Sequence, residues 1–208
     1  MYLIISVVAI FILLVAGELW WRRQNIHGEF SRKSIHIIVG SFVATWPFFL
    51  SWTQIELLSV TFLLAVIVSQ YFGVFQAIHS VQRSTWGEAF FALAVGGVAL
   101  VTHDQWIYTA ALLQMSLADG MAAVVGIRHP GRYKYAIFGH AKSLSGTSTF
   151  FVFSVIILLA CSHFGGLSLG LGWVLGISVL LSVLENLAIV GLDNLLIPMA
   201  VALLLVHR

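Results

Sequence analysis

Long apolar stretches separated by short polar segments run along the whole chain. A membrane-spanning helix needs about 20 predominantly apolar residues, within a range of roughly 17–25. Two of the candidate stretches, Glu88–Val101 and Leu195–Val206, are short enough to be tilted, partly buried or re-entrant. The other candidates are Tyr2–Trp21, Ile35–Leu50, Gln54–Phe75, Trp106–Ile127, Thr147–Phe164 and Leu169–Val190. The pattern therefore predicts an all-α fold, a polytopic transmembrane helix bundle with seven to eight membrane segments.

Composition agrees with this class of protein. Of the 208 residues, 60% are hydrophobic and only 9% are charged, whereas a soluble domain carries roughly 25% charged residues. Without a long polar block, residues 1–208 are predicted to form a single integral-membrane domain. The single cysteine, Cys161, lies in an apolar stretch, which excludes a disulfide framework and a cysteine metal site.

The charged residues predict the orientation in the membrane. Nine of the ten Lys and Arg residues fall in loops on one side of the predicted spans. These loops are Arg22–Ser34, Gln76–Gly87, Arg128–Gly146 and Gly191–Asn194. The positive-inside rule places that face in the cytoplasm and the N-terminus outside, in a multi-pass protein of the cell (inner) membrane. Several carboxylates lie at the same face, and this rule does not explain them.

Asp119 is the first of these carboxylates, because it falls inside a predicted span. An ionised carboxylate within a membrane segment is costly, so a functional role is the default hypothesis. Gly120, Ala123 and Gly126 follow it at helical spacing and would let another helix or a ligand approach closely. The structural alternative is a buried ion pair or a packing seam of small residues.

The segment from Gly139 to Thr147 combines Lys142 with several hydroxyl groups and two glycines at a predicted helix start. The residues in question are Gly139, Lys142, Ser143, Ser145, Gly146 and Thr147. Backbone N–H groups at a helix N-terminus, together with a lysine, favour a phosphate. The segment is not a Walker A loop, because Ala141 precedes the lysine. A capped helix start in a basic loop is the alternative interpretation.

Two further segments carry charge at the cytoplasmic ends of predicted spans. Arg32, Lys33 and His36 suit a phosphate or an anionic lipid, although a basic flank with a packing histidine is the alternative. Glu185 and Asp193 are separated carboxylates of the kind that bind Mg²⁺ with substrate phosphates, although Asp193 and Asn194 are also suited to cap a helix.

Glu88 opens the fourth predicted span, where an acid in a first helical turn is favourable. Arg83, a few residues earlier, fits the positive-inside rule. This segment carries less chemical information than the other four.

The order of these motifs resembles that of the polyprenol kinase family, which includes dolichol kinase, phytol kinase and CTP-dependent diacylglycerol kinase. The chain is also similar, more distantly, to the phosphatidate cytidylyltransferases. The matching motifs extend from Arg32 to Pro198. They are Arg32-Lys33-x-x-His36, Gly87-Glu88, Asp119-Gly120-x-Ala122-x-x-x-Gly126, Lys142-Ser143-x-x-Gly146-Thr147 and Asp193-Asn194-x-x-x-Pro198. The chain departs from the family pattern at Ala118, where glycine is common, and at Leu192, where aspartate is common.

The resemblance implies transfer of the γ-phosphoryl group of CTP, with Mg²⁺, to a membrane-held lipid alcohol. Asp119 and Asp193 would then hold the metal, and Arg32 and Lys33 would bind phosphate or orient the lipid head. Lys142 and the Gly139–Gly146 backbone would hold the triphosphate, with Ser143, Ser145, Thr147 and Asn194 as further phosphate ligands. The alcohol proton would pass to His36, Glu88 or Glu185, and the sequence does not choose among them.

Two rival functions remain at this point. A cytidylyltransferase would use the same groups to make a CDP-lipid, and a small ion- or proton-coupled transporter would use intramembrane Asp119 and Glu185 as ion sites. The expected partners are a lipid alcohol, a nucleoside triphosphate and membrane lipids, with no nucleic acid. The alcohol, the choice between CTP and ATP and the oligomeric state are left open.

Overall fold

The computed structural model describes residues 1–24, 29–72 and 86–208. Helices dominate the described residues, so the predicted helical fold is confirmed. Their bounds are α1 Tyr2–Gln24, α2 Glu29–Ala44, α3 Trp52–Phe72, α4 Gly87–Val101, α5 Gln105–Leu113, α6 Asp119–Arg128, α7 Leu144–Gly165, α8 Leu171–Leu187 and α9 Asp193–Val206. A short 3₁₀ turn, Trp46–Phe48, follows α2. Arg83 and the end of the third predicted span lie outside the described residues.

By length and composition, two helices of the described chain are suited to cross a membrane. They are the continuous helix Gln105–Arg128 and α7. Shorter apolar helices, of 10–17 residues, accompany them: Tyr2–Gly17, Trp52–Val68, Gly87–Val101, Leu171–Leu187 and Asp193–Val206. Large apolar side chains such as Phe11 and Leu64 are more than half exposed on the outer surface. The surface suits a lipid environment, and the number of crossings stays a prediction.

The helix Gln105–Arg128, here called the central helix, organises the bundle. It consists of α5, a π-helical segment Gln114–Ala118, and α6. It packs against α2, α4, α7 and α9, and its side chains Leu112, Met115 and Ala118 are fully buried. A π segment inside an α-helix is rare and is frequently found at functional sites. Here it ends immediately before Asp119.

The chemistry-bearing residues gather toward one end of the bundle. That end holds the starts of α2, α4, α7 and α9 and the end of α8. Asp119 lies nine residues before Arg128, about 14 Å along the helix axis, so it sits inside the bundle rather than at its rim. The opposite end is closed by aromatic contacts of Trp106 with Phe48 and Phe164.

A β-hairpin precedes α7, in a segment where the sequence predicted only a loop. Strand β1, Lys134–Ile137, pairs antiparallel with β2, His140–Ser143. Both turn residues have positive φ, 48° at Phe138 and 78° at Gly139. This is the signature of a type I′ turn, whose twist matches that of the flanking strands. In the pairing, Tyr135 stands directly opposite Lys142, so both side chains project on the same side of the hairpin.

Candidate active site

Two carboxylates from different helices converge on one buried ammonium group. Lys33 of α2 donates a hydrogen bond to Oδ2 of Asp119, at 2.5 Å, and its Nζ lies 3.8 Å from Oδ2 of Asp193. The side chains of Lys33, Asp119 and Asp193 are 11%, 4% and 20% exposed. The sequence predicted these three residues as site residues, and the fold brings them together. Asp119 and Asp193 are called the carboxylate pair below.

Charge balance in this cluster keeps the lysine protonated. Both charged groups discussed here lie outside the predicted membrane spans, because Lys33 precedes Ile35–Leu50 and Asp193 precedes Leu195–Val206. Burial disfavours the ammonium, but the carboxylates of Asp119 and Asp193 outweigh that effect and raise the pKa of Lys33 above its ordinary value. Burial, together with the nearby Asp119 carboxylate, raises the pKa of Asp193. The cluster is therefore a cation held between two acids, which is the local charge pattern of a cation-binding site.

A second ion pair lies beside the first. Lys142 of β2 pairs with Oε1 of Glu185 and also donates a hydrogen bond to the Glu185 carbonyl oxygen, at 3.1 Å. Glu185 is in the last turn of α8, where a cation is favourable because the helix dipole is negative there. Lys142 is close enough to Asp119 and Asp193 to interact with both electrostatically. The two ion pairs form one charged cluster.

His36 lies one helical turn from Lys33, on the face of α2 that meets the central helix. Its Nε2–H donates to the Met115 carbonyl oxygen, at 3.3 Å, and the ring contacts Phe91 edge-on at 5.3 Å. Met115 belongs to the π segment. In this arrangement the neutral ring presents Nδ1 as its remaining hydrogen-bond acceptor. His36 is therefore held in one orientation by the irregular segment that leads to Asp119.

Asn194 joins the start of α9 to the start of α4. Its Nδ2 donates to the Gly87 carbonyl, at 3.0 Å, while its Oδ1 is buried without a hydrogen-bond partner. Gly191, with φ of 85°, allows this close approach, because a Cβ there would lie 2.7 Å from the Gly87 Cα. The neighbouring Glu88 is half-buried in the first turn of α4 and, within the described part of the chain, makes no hydrogen bond or ion pair.

Two of the hydroxyl groups predicted to bind phosphate form hydrogen bonds to the protein at the start of α7. Ser143 caps the helix by accepting from the Gly146 N–H at 3.2 Å, and the Ser145 hydroxyl donates to the His129 carbonyl at 2.6 Å. Gly146 packs against α6, where a Cβ would lie 3.0 Å from the Ala122 carbonyl oxygen. Ser143 follows Lys142 directly and Gly146 lies one helical turn further on, so this part of the predicted phosphate site stays together.

Other predicted residues lie further from the charged cluster. Gly139 is at the hairpin turn, three strand residues and about 10 Å from Lys142. Arg32 is half-buried in α2 beside Lys33. Thr147 instead contacts Tyr135 and Asn186, two residues that the sequence did not single out. Tyr135 carries no recognisable signal in the sequence, and Asn186 has none beyond its position next to Glu185.

The chemistry of the donors fits a magnesium ion that also binds phosphates. Mg²⁺ commonly uses one or two carboxylates from the protein and completes its shell with water and substrate phosphate oxygens. The carboxylate pair supplies these ligands, and Asn194, the residue after Asp193, has a buried Oδ1 without a hydrogen-bond partner. Over the described ranges, no group of three His, Cys, Asp or Glu residues is arranged to hold a metal without such help.

The described residues thus form a helical, apolar fold with a charged cluster buried toward one end. The chain is 30% identical to the phytol kinase of Synechocystis sp. over 199 residues, which cover 92% of this chain and 84% of that protein. It therefore belongs to the polyprenol and phytol kinase-like family. No protein-family model matches the chain, and no solved structure matches it.

Proposed function

We propose that this protein is a lipid-alcohol kinase that transfers the γ-phosphoryl group of CTP to a prenol-type alcohol. The relative is a phytol kinase by name, which supports phosphorylation of a lipid alcohol. The observation that carries the proposal is the convergence of Asp119, Asp193 and Lys33 beside the Lys142–Glu185 pair. Phosphoryl transfer requires positioning and charge neutralisation around the phosphates more than covalent help from the protein.

In this proposal each cation has a phosphate role. The ammonium groups of Lys33 and Lys142 exchange their carboxylate partners in part for phosphate oxygens when the nucleotide binds. Asp119 and Asp193 would then be the residues that hold Mg²⁺. The bound ion would neutralise charge on the β- and γ-phosphates. The backbone at the start of α7, with Ser143, Ser145 and Gly146, would hold the far end of the triphosphate.

The reaction itself is a single displacement at phosphorus. The alcohol oxygen forms a bond to the γ-phosphorus, and the bond from that phosphorus to the oxygen bridging to the β-phosphate breaks. CDP leaves with the bonding electron pair, and the alcohol proton passes to a base. His36, Glu88 and Glu185 remain the candidates for this base. Glu185 is already held by Lys142, whereas the fixed ring of His36 presents a lone pair.

We further propose that the chain is a multi-pass protein of the cell membrane and that the charged cluster faces the cytoplasm. The apolar outer surface and the positive-inside distribution of Lys and Arg support this orientation. A cytoplasmic site would meet a soluble nucleotide, while the acceptor would arrive from the bilayer. Cysteine-labelling of single-cysteine variants at Arg132 and Ser168, with and without membrane permeabilisation, would test the sidedness. Labelling of Arg132→Cys from outside intact cells would contradict it.

The activity is tested by incubating the detergent-solubilised protein with Mg²⁺, a panel of lipid alcohols and γ-labelled CTP or γ-labelled ATP. We expect label in the lipid phase with CTP and with a prenol-type alcohol such as phytol. Asp119→Asn protein, purified in parallel, is the matched control for contaminating kinases. Equal transfer by wild type and Asp119→Asn would contradict the proposed site, and transfer from ATP alone would contradict the proposed donor.

A further inference from the structure

An apolar groove runs between α7 and α8, and Tyr135 and Asn186 line it at the end nearest the hairpin. Its volume is about 560 Å³, and it is open along one side, where Val152, Val179 and Val183 are about half exposed. From Val179 to Asn186 the groove follows seven residues of α8, which is about 10 Å along the helix axis. In the proposed orientation its open side faces lipid rather than water.

The end of this groove nearest the hairpin is polar. There Tyr135 of the hairpin donates a hydrogen bond to Oδ1 of Asn186, at 2.6 Å, and also contacts the Thr147 hydroxyl. Asn186 Nδ2 donates to the Ser182 carbonyl at 2.7 Å, which fixes the amide. We call Tyr135, Thr147 and Asn186 the polar triad. The Thr147 hydroxyl oxygen has two acceptor lone pairs, and the Asn186 amide uses one of them, at 3.3 Å. The triad can therefore accept a hydrogen bond from one more hydroxyl group.

The polar triad lies directly beside the proposed catalytic cluster. Asn186 follows Glu185 in α8, and Tyr135 stands opposite Lys142 across the hairpin. The same two hairpin residues therefore attach to two consecutive residues of α8, one through an ion pair and one through a hydrogen bond. A hydroxyl group bound at the triad would be placed next to Lys142.

We propose that this groove is the binding site for the acceptor alcohol. The first part of the prenyl chain lies between α7 and α8, its hydroxyl group hydrogen-bonds to the polar triad, and the rest of the chain continues into the bilayer. This inference rests on the proposed function for the identity of the ligand. It assigns a substrate-binding role to Tyr135, Asn186 and Val183. Thr147, which the sequence predicted as a ligand of the nucleotide phosphates, becomes a ligand of the acceptor alcohol instead.

The chemistry of the groove favours a neutral alcohol over an acidic lipid. The described residues that line the groove carry apolar, hydroxyl and amide side chains, and none of these residues is charged. A phosphate monoester head group would carry about two negative charges at neutral pH and would require cationic ligands. Lys142, which stands opposite Tyr135 in the hairpin, is already paired with Glu185. A single hydroxyl group on a long apolar chain matches a groove with one polar end and apolar walls.

The test is photo-cross-linking of the full-length protein with a prenyl alcohol that carries a diazirine on its chain near the hydroxyl end. Cross-linked residues are mapped by mass spectrometry, with and without competing phytol. The blocking variant is Val183→Trp, which fills the middle of the groove. The matched control is Leu180→Trp, which adds the same side chain to an exposed position of α8 that does not line the groove. Neither position is in the core, so both variants are expected to fold.

We expect cross-links on the facing sides of α7 and α8 that phytol suppresses. Val183→Trp should reduce them about tenfold, because it displaces apolar contacts along the chain, while Leu180→Trp leaves them unchanged. Tyr135→Phe should raise the KM for the alcohol and leave the KM for CTP unchanged. Cross-links confined to other helices, no competable cross-link at all, or equal effects of the two tryptophan variants would overturn the groove assignment.

The cross-linking does not depend on phosphoryl transfer, so the two proposals fail separately. If wild-type protein transfers label to an alcohol but the probe attaches elsewhere, the kinase stands and the groove is wrong. If the probe binds in the groove but no donor phosphorylates any alcohol, the groove stands as a lipid-alcohol site and the proposed kinase activity is wrong.

Discussion

Replacing Asp119 with asparagine separates the structural role of the carboxylate pair from its catalytic role. The substitution keeps the size of the side chain and removes its charge. Lys33 then remains buried, with Asp193 as its nearest counter-charge at 3.8 Å instead of Asp119 at 2.5 Å. At an effective dielectric constant of about 20, the gross attraction between unit charges is about 7 kcal/mol at the shorter distance and about 4 kcal/mol at the longer one.

The net effect on stability is smaller than these gross energies. Removing one member of a buried ion pair typically costs about 3–5 kcal/mol, because the remaining charge stays buried. Since Asp193 keeps part of the attraction, we expect the lower end of that range, about 3 kcal/mol of unfolding free energy. The assay is reversible unfolding in mixed micelles, followed by helicity, on wild type, Asp119→Asn, Lys33→Met and the double variant.

The double variant decides between the two roles. Lys33→Met together with Asp119→Asn removes both buried charges of the short contact, so the double variant should recover part of the stability lost in Asp119→Asn, although Asp193 then lacks its counter-charge. Its kinase activity should remain absent, as in Asp119→Asn, because the metal ligand and the phosphate ligand are both gone. Additive losses of stability in the double variant would refute the ion pair, and measurable turnover in Asp119→Asn would refute its role as a metal ligand.

Three other perturbations follow from the geometry. Lys142→Met should lower kcat/KM for CTP about 10–100-fold in steady-state kinetics, as expected for the loss of one charge-assisted contact. An unchanged kcat/KM would show that Lys142 does not bind the nucleotide. Gly146→Ala should lower the unfolding free energy by about 1–3 kcal/mol, because the added Cβ would press on the Ala122 carbonyl. The control is Gly176→Ala in α8, where the added Cβ meets open space and should raise the unfolding free energy slightly. Equal effects of the two variants in thermal unfolding would contradict the α6–α7 contact. Chelation of divalent cations with EDTA should abolish label transfer, and added Mg²⁺ should restore it; transfer that persists in EDTA would exclude the proposed metal.

The helices were largely predictable from the sequence, because their signal is local. Even the two short apolar runs predicted α4 and α9 to within one or two residues at each bound. The sixth predicted span, Thr147–Phe164, began three residues late, because Ser143 caps α7 and polar residues fill its first turn. Helix caps are polar, so a search for apolar stretches places such a start too far along the chain.

The sequence predicted the charged residues of the site but not which of them pair with one another. Asp119 and Glu185 stood out because carboxylates are rare in apolar stretches, yet the sequence did not indicate that Lys33 would pair with one and Lys142 with the other. Those contacts join residues 86 and 43 positions apart. They depend on how helices pack, which hydropathy does not record.

The hairpin shows a different limit. The segment from Lys134 to Ser143 carries no Asn-Gly or Asp-Gly turn, which is the usual signal for a tight hairpin, and its turn places Phe138 at positive φ. Without the hairpin, Tyr135 has no reason to be near Asn186, and the polar triad cannot be foreseen. The predicted phosphate loop and the acceptor groove therefore share one element that only the fold reveals.

Product analysis with two labels tests the central claim most directly. The purified protein is supplied with Mg²⁺, phytol and CTP labelled either at the α- or at the γ-phosphate. A lipid-alcohol kinase places the γ-label in the lipid and releases the α-label as CDP, in equal amounts. Appearance of the α-label in the lipid with release of pyrophosphate, or no labelled lipid with phytol or any other alcohol of the panel, would contradict the account.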